Sequence, residues 1–235
     1  MPAMKLSMSG SRRGLVATVV AVVLICSGIF LIGVSIASQR RAPQPPSQNV
    51  TGTGESWSGT TFPIPRPTGD PTPSVIGPIL ERSKPVFLDI PSIDVHSVVQ
   101  YLGQAADGTL EAPAGDHYNE AAWYRYSPTP GSLGPAILLG HVDSAAEGPS
   151  VFFRLGELRP GDRVSITRAD DSIAVFVVDT VQRYSKDDFP TEVVYSDIDH
   201  AGLRIITCGG AFDNSTGHYL DNIVVFASLA GSPEE

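Results

Sequence analysis

The feature that most narrows the fold is the punctuation of the long C-terminal part of the chain, where short apolar or alternating runs are each cut off by a turn signal. Pro85–Val95, His96–Leu102, Gly134–His141, Asp162–Arg168, Ser172–Tyr184, Leu203–Cys208 and Asn222–Ala230 read as strands. Between several of them stand turn-forming pairs such as Asp107-Gly108, Pro130-Gly131, Pro160-Gly161 and Asp170-Asp171. Val151–Leu158 and Tyr195–Gly202 read as short helices, and no long amphipathic helix intervenes. A mainly β domain over residues 85–231, a barrel or a sandwich, is the architecture this pattern implies.

Two stretches of different character precede it. Leu15–Ala37 is an unbroken apolar run of about 23 residues, long enough to cross a hydrocarbon core of about 30 Å as a helix. Lys5, Arg12 and Arg13 precede this run and Arg40 and Arg41 follow it. The narrow excess on the N-terminal side places residues 1–14 in the cytoplasm and exports everything after residue 37. The small residues Ser35-Ile36-Ala37 also suit a signal-peptide cleavage site, but the run exceeds a usual signal core, so 15–37 reads as an uncleaved single-pass anchor. Residues 38–84 then turn to Pro, Ser, Thr and Gly, with Pro43, Pro45, Pro46, Pro63, Pro65, Pro67, Pro71, Pro73 and Pro78. Such a composition cannot bury a core and reads as an extended spacer.

Charge separates along the same boundaries. The chain carries −9 overall, and its first 41 residues carry +5 with no acid, which leaves −14 for the rest. That balance argues against nucleic acid as a partner.

Cysteine usage carries more information. Cys26 lies inside the apolar run, preceded by Ile25, and reads as a lipid-facing or packing residue rather than a lipidation site; Cys208 is then the single thiol of the exported part, with no partner for an internal disulfide. It closes the buried-looking run Leu203-Arg204-Ile205-Ile206-Thr207, and Gly209-Gly210 after it read as a turn, so the thiol is expected at the end of a rigid element. Thiol chemistry near neutral pH usually enlists histidine. Of the five histidines, His96, His117, His200 and His218 lie in polar surroundings, whereas His141 closes the apolar run Pro135–Gly140 just as Cys208 closes its own. Two strands thus deliver a base and a nucleophile to their ends, the rim of an active site if those ends meet.

Four blocks of residues carry a family resemblance: Gly140-His141-Val142-Asp143-Ser144; Val151-Phe152-Phe153-Arg154-Leu155 with Leu158 and Gly161-Asp162; Leu203 to Gly210; and Tyr219 with Asp221-Asn222-Ile223-Val224-Val225. In this order they resemble the sortases, most nearly the class F group of actinobacteria, over about Pro85 to Ala230. The resemblance implies a sortase-like eight-stranded β-barrel with short helices, and a thiol-dependent transpeptidase of the hydrolase class. It also implies the reaction: cleavage of a Leu-Pro-X-Thr-Gly sorting signal between Thr and Gly, and transfer of the acyl group to an amine of a peptidoglycan precursor, which anchors surface proteins to the cell wall. In that scheme Cys208 forms the thioacyl intermediate, while His141 protonates the leaving amine and deprotonates the incoming one. Neither cofactor nor metal is implied. The calcium site of some relatives has no readable counterpart here, and the acidic Asp187, Asp188 and Glu192 read as a solvated loop.

One position departs from the family. Sortases generally carry an arginine on the strand after the cysteine, and His218-Tyr219-Leu220-Asp221-Asn222 has none. Asn222 falls nearest that position, with Leu220 the other choice, and its amide can donate to an oxyanion. Arg204 shares a strand face with Cys208, but four residues at about 3.3 Å each put its backbone roughly 13 Å away, so it reads as structural. A loop arginine, Arg125 or Arg154, is the remaining substitute. Two other functions compete: a non-catalytic tethered barrel that binds sorting signals or wall polymers, which the missing arginine favours, and an L,D-transpeptidase, whose His and Cys stand close together in sequence as His141 and Cys208 do not.

Overall fold

A computed structural model describes residues 41–45, 75–106, 108–146 and 148–230. The expected anchor at 15–37 lies outside the described residues, as does most of the spacer. Among the described residues no helix is long and apolar enough to cross a membrane.

Ten strands form in chain order: β1 (Pro85–Ile90), β2 (Val95–Leu102), β3 (Ala121–Tyr124), β4 (Gly134–Leu139), β5 (Asp143–Ser144), β6 (Gly148–Pro149), β7 (Arg163–Arg168), β8 (Ile173–Ser185), β9 (Ala201–Asp213) and β10 (His218–Leu229). Eight of them close a barrel in the order β1-β2-β3-β4-β9-β10-β8-β7, while β5 and β6 pair apart as a small ribbon. The pairs β2–β3 and β4–β9 are parallel; the other neighbours in the barrel are antiparallel. Closure removes the exposed sheet edges that so many short strands would otherwise present.

Period-two alternation sorts the side chains. On β9, Leu203 and Ile205 enter the barrel core with Ile223 and Val225 of β10, while Ile206 joins a second apolar cluster on the outer face with Ile137, Val194 and Val224. Residues Ala201–Thr207 are therefore buried on both faces, between the parallel neighbour β4 and the antiparallel neighbour β10, which explains the mostly apolar run. The outer cluster is roofed by the β8–β9 connection and its one-turn helix α1 (Thr191–Tyr195).

The structure revises several expectations. None of the expected strands covers β3, β5 or β6, and a 3₁₀ turn at Pro91–Ile93 ends β1 inside the stretch expected as the strand Pro85–Val95. The helix expected at Tyr195–Gly202 forms earlier, at Thr191–Tyr195, directly after Pro190, and Ala201 already belongs to β9. The helix expected over Val151–Leu158 shrinks to a 3₁₀ turn, Leu155–Glu157. Phe152, Leu155 and Leu158, each at most 1% exposed, recur every three residues, the repeat of a 3₁₀ turn rather than an α-helix. Finally, Gly209-Gly210 is no turn: β9 runs on to Asp213, and the hairpin closes at 214–217.

The glycines instead make a bulge. Gly209 pairs with Asp221 and Phe212 with Tyr219, so Gly210 and Ala211 face the single residue Leu220. Gly210 has φ +77°, and a β-carbon there would collide with the Asp221 carboxylate.

Pieces of the Pro-rich stretch lie on the barrel, within a compact unit that begins at Ala42. Ile76 N–H donates to Asp199 O (2.8 Å), and Arg168 Nη1 donates to Glu81 O (2.7 Å). At the other end Ala42 is buried and Gln44 Oε1 accepts from Gly210 N–H at 2.8 Å. No core is needed for this: prolines lack an N–H, but the intervening side chains and carbonyls still bond to the barrel.

Candidate active site

Parallel pairing of β4 and β9 sets the geometry. Leu139 stands opposite Ile206, Gly140 N–H donates to Ile206 O (3.3 Å), and Thr207 Oγ1 donates to Gly140 O (2.9 Å). One residue further along each chain come His141, just past the end of β4, and Cys208, still within β9, so the two residues singled out from sequence fall at adjacent register positions. The four other histidines sit elsewhere on the surface; His96, His117 and His200 each contact a neighbouring carboxylate, of Asp89, Glu120 and Asp199.

Cys208 is a half-buried free thiol on the outward, even-numbered face of β9. Because the strand continues past it, the thiol sits within a ladder rather than at a strand end. Asn222 of β10 is its direct cross-strand partner, and Tyr184 of β8 stands opposite Asn222. Cys208, Asn222 and Tyr184 thus form one row at the margin of the outer apolar cluster.

His141 is held on both sides. Its Nε2 lies 2.8 Å from Pro113 O, and since a carbonyl only accepts, Nε2 carries the proton in this contact. The imidazole stacks on Tyr118 with centroids 3.9 Å apart and planes 2° from parallel. Tyr118 Oη donates to Asp143 O (2.9 Å) and Tyr219 Oη donates to Asp143 Oδ2 (2.6 Å). Burial, then donation to the Asp143 carboxylate, pushes the Tyr219 phenol well above its ordinary value, with the nearby Cys208 adding to the rise.

A cation also reaches the sulfur. Lys186 Nζ lies 3.5 Å from Cys208 Sγ. β8 ends at Ser185 opposite Asp221, and Lys186 opens the 3₁₀ turn Lys186–Asp188, with the Ser185 side chain accepting from Asp187 N–H (3.3 Å). Arg183, on the same strand, contacts Asp221 at 3.4 Å. The arginines named from sequence are engaged differently. Arg154 pairs with Glu157 at 2.6 Å, and Arg125 lies over the Tyr126 ring at 5.1 Å. Arg204 is buried against Phe226, its guanidinium 4.6 Å from the ring centroid, with Nε unpartnered; burial lowers its pKa.

Sequence reasoning missed Lys186, Arg183 and the Tyr219–Asp143 bond as parts of this neighbourhood. A strand prediction ending near Tyr184 was the one available signal for the first two. Asp187, Asp188 and Glu192 are exposed, and among the described residues no group of three or more His, Cys, Asp or Glu is arranged to hold a metal ion.

Residues 88–230 match the family model described as Sortase domain. No curated protein matches the chain. Among solved structures, a Sortase D5 transpeptidase of Clostridium perfringens is similar at 22% identity and a TM-score of 0.46, over 63% of this chain and 79% of that one. Sortase A of Corynebacterium diphtheriae is similar at 19% identity and 0.47, over 66% and 65%. A pilus-related sortase C of Group B Streptococcus is similar at 13% and 0.47, over 66% and 71%.

Proposed function

The chain belongs to the sortase family of cysteine transpeptidases, and on that premise we propose that it cleaves Leu-Pro-X-Thr-Gly-type sorting signals through a thioacyl intermediate on Cys208 and transfers the acyl group to a cell-wall precursor amine. What supports the reading is the parallel pairing of β4 and β9, which brings His141, just past the end of β4, into register with Cys208 within β9. The thiol proton passes to His141 and the thiolate attacks the scissile carbonyl carbon. Collapse of the adduct breaks the C–N bond, the leaving amine takes the proton from His141, and a thioester remains. The acceptor amine then attacks the thioester and gives its proton to His141. The C–S bond breaks, and Cys208 is regenerated. Asn222, opposite the sulfur, is the proposed donor to the oxyanion of each adduct. Class F is the subgroup we propose, with residues 15–37 as the membrane anchor and the catalytic domain outside the cell.

The test incubates the full chain with a Leu-Pro-X-Thr-Gly peptide and an amine acceptor. An acyl adduct mapped by mass to Cys208, absent in Cys208→Ala, is the expected result. Full transfer by Cys208→Ala would overturn the reading, and binding of the signal with no trappable adduct would favour the non-catalytic barrel.

A further inference from the structure

We propose that Lys186 is a catalytic residue whose ammonium group stabilises the Cys208 thiolate and the negative charge that develops beside it during acyl transfer. The inference rests on the transpeptidase reading above and assigns its cation. Lys186 Nζ donates toward Cys208 Sγ at 3.5 Å, so the ammonium group already stands in hydrogen-bond contact with the sulfur. Among the described residues it is Lys186 that supplies the cationic donor to the sulfur. Arg183, the nearest alternative on β8, is directed to Asp221, and Arg204 is packed beneath Phe226.

The position is built by the backbone. Ser185 closes the β8–β10 ladder opposite Asp221, one register step from the Asn222–Cys208 pair, and the 3₁₀ turn then carries Lys186 off the ladder beside the sulfur. No bond to Nζ forms or breaks at any stage. The lysine keeps its protons while the thiol proton travels to His141 and on to the leaving amine. Its charge therefore favours the two states in which the sulfur, or the oxygen of the adduct next to it, is negative.

Titratable or charged groups stand on every element around the thiol: His141 and Asp143 after β4, Tyr219 and Asp221 on β10, Arg183 and Tyr184 on β8, and Asp187 beside Lys186 in the turn. All of them persist in a Lys186→Gln variant, so a comparison with the native chain isolates this one charge. Lys186 is exposed, and its replacement leaves the core untouched.

The experiment follows iodoacetamide alkylation of the full chain from pH 5 to 10, mapped to Cys208 by peptide mass so that Cys26 does not contribute, alongside transfer kinetics with the peptide and amine. In Lys186→Gln the alkylation midpoint is expected to move up by about 1 pH unit, kcat/KM at neutral pH to fall roughly tenfold, and Lys186→Arg to restore both. High salt should shift the native midpoint in the same direction and move the variant's less. Superimposable alkylation profiles for the native chain and Lys186→Gln would overturn the inference, even with transfer intact. Absence of any transfer by the native chain would instead overturn the proposed reaction, and the alkylation profiles would still report on Lys186.

Discussion

Asn222 stands directly across the β9–β10 ladder from Cys208, with Tyr184 of β8 on its other side. Residues opposed in this way hold their β-carbons about 4.5–5.5 Å apart, so a carboxamide at 222 lies within reach of a carbonyl bonded to the sulfur. Loss of an oxyanion donor typically costs about 10²–10³ in kcat. Asn222→Ala is therefore expected to lower kcat by about two orders of magnitude while leaving Cys208 alkylation at its native rate. Steady-state kinetics paired with alkylation rates make the measurement, and a native kcat in this variant would remove Asn222 from the oxyanion site.

Tyr219 couples the β9–β10 hairpin to the loop that carries His141, through its 2.6 Å bond to Asp143. Burial and that bond hold the phenol proton more tightly in the folded state than in the unfolded chain. The stability this adds is full below about pH 10, the ordinary tyrosine value, and drains as pH rises beyond it. Tyr184 and Tyr195 are raised in the same direction, mainly by burial, and remain in both proteins being compared. Tyr219→Phe should thus be less stable than the native chain at pH 8, with the gap narrowing by pH 11. Urea midpoints at the two pH values would show it, and a constant gap would mean that Tyr219 does not titrate differently on folding.

Gly210 is needed twice, for its left-handed backbone and for the space its missing side chain leaves to Asp221. A non-glycine residue in that conformation costs about 1–2 kcal/mol, before the carboxylate is displaced. Gly210→Ala should destabilise the domain by at least that amount and also slow acyl transfer, because the bulge sets the register beside Cys208. A variant of native stability and activity would show that the hairpin relaxes without effect on the site.

Arg204 is a buried cation with an unpartnered Nε. Replacing a buried charge by an apolar side chain of similar length is often neutral or stabilising by about 1–4 kcal/mol, and a methionine can keep the contact with Phe226. Arg204→Met is expected to match or exceed native stability in urea unfolding. A loss of about 2 kcal/mol or more would mean that the guanidinium is fully paired in solution.

The amino-acid sequence alone marked most of the barrel strands, because period-two alternation and turn residues are local properties, but not the four-residue β3, which is too short to show a period. It also singled out His141 among five histidines and Cys208 as the one thiol outside the N-terminal apolar run, since each closes an apolar run of its own. The ordered motifs pointed to the family for the same reason: they are contiguous residues. Local pattern was misleading where a neighbouring strand decides the conformation. Gly209-Gly210 has the composition of a turn, yet pairing with β10 carries β9 through it as a bulge. The spacing of Phe152, Leu155 and Leu158 fits a short helix until the barrel core selects the tighter 3₁₀ turn. The rest of the site belongs to tertiary structure. Lys186 meets Cys208 across 22 positions of chain, and Tyr219 meets Asp143 across 76. Such contacts follow from the register of β8, β9 and β10 and from the segment that leaves β4 beside β9, and register is fixed by hydrogen bonding and core packing between segments that carry no mark of each other in the chain.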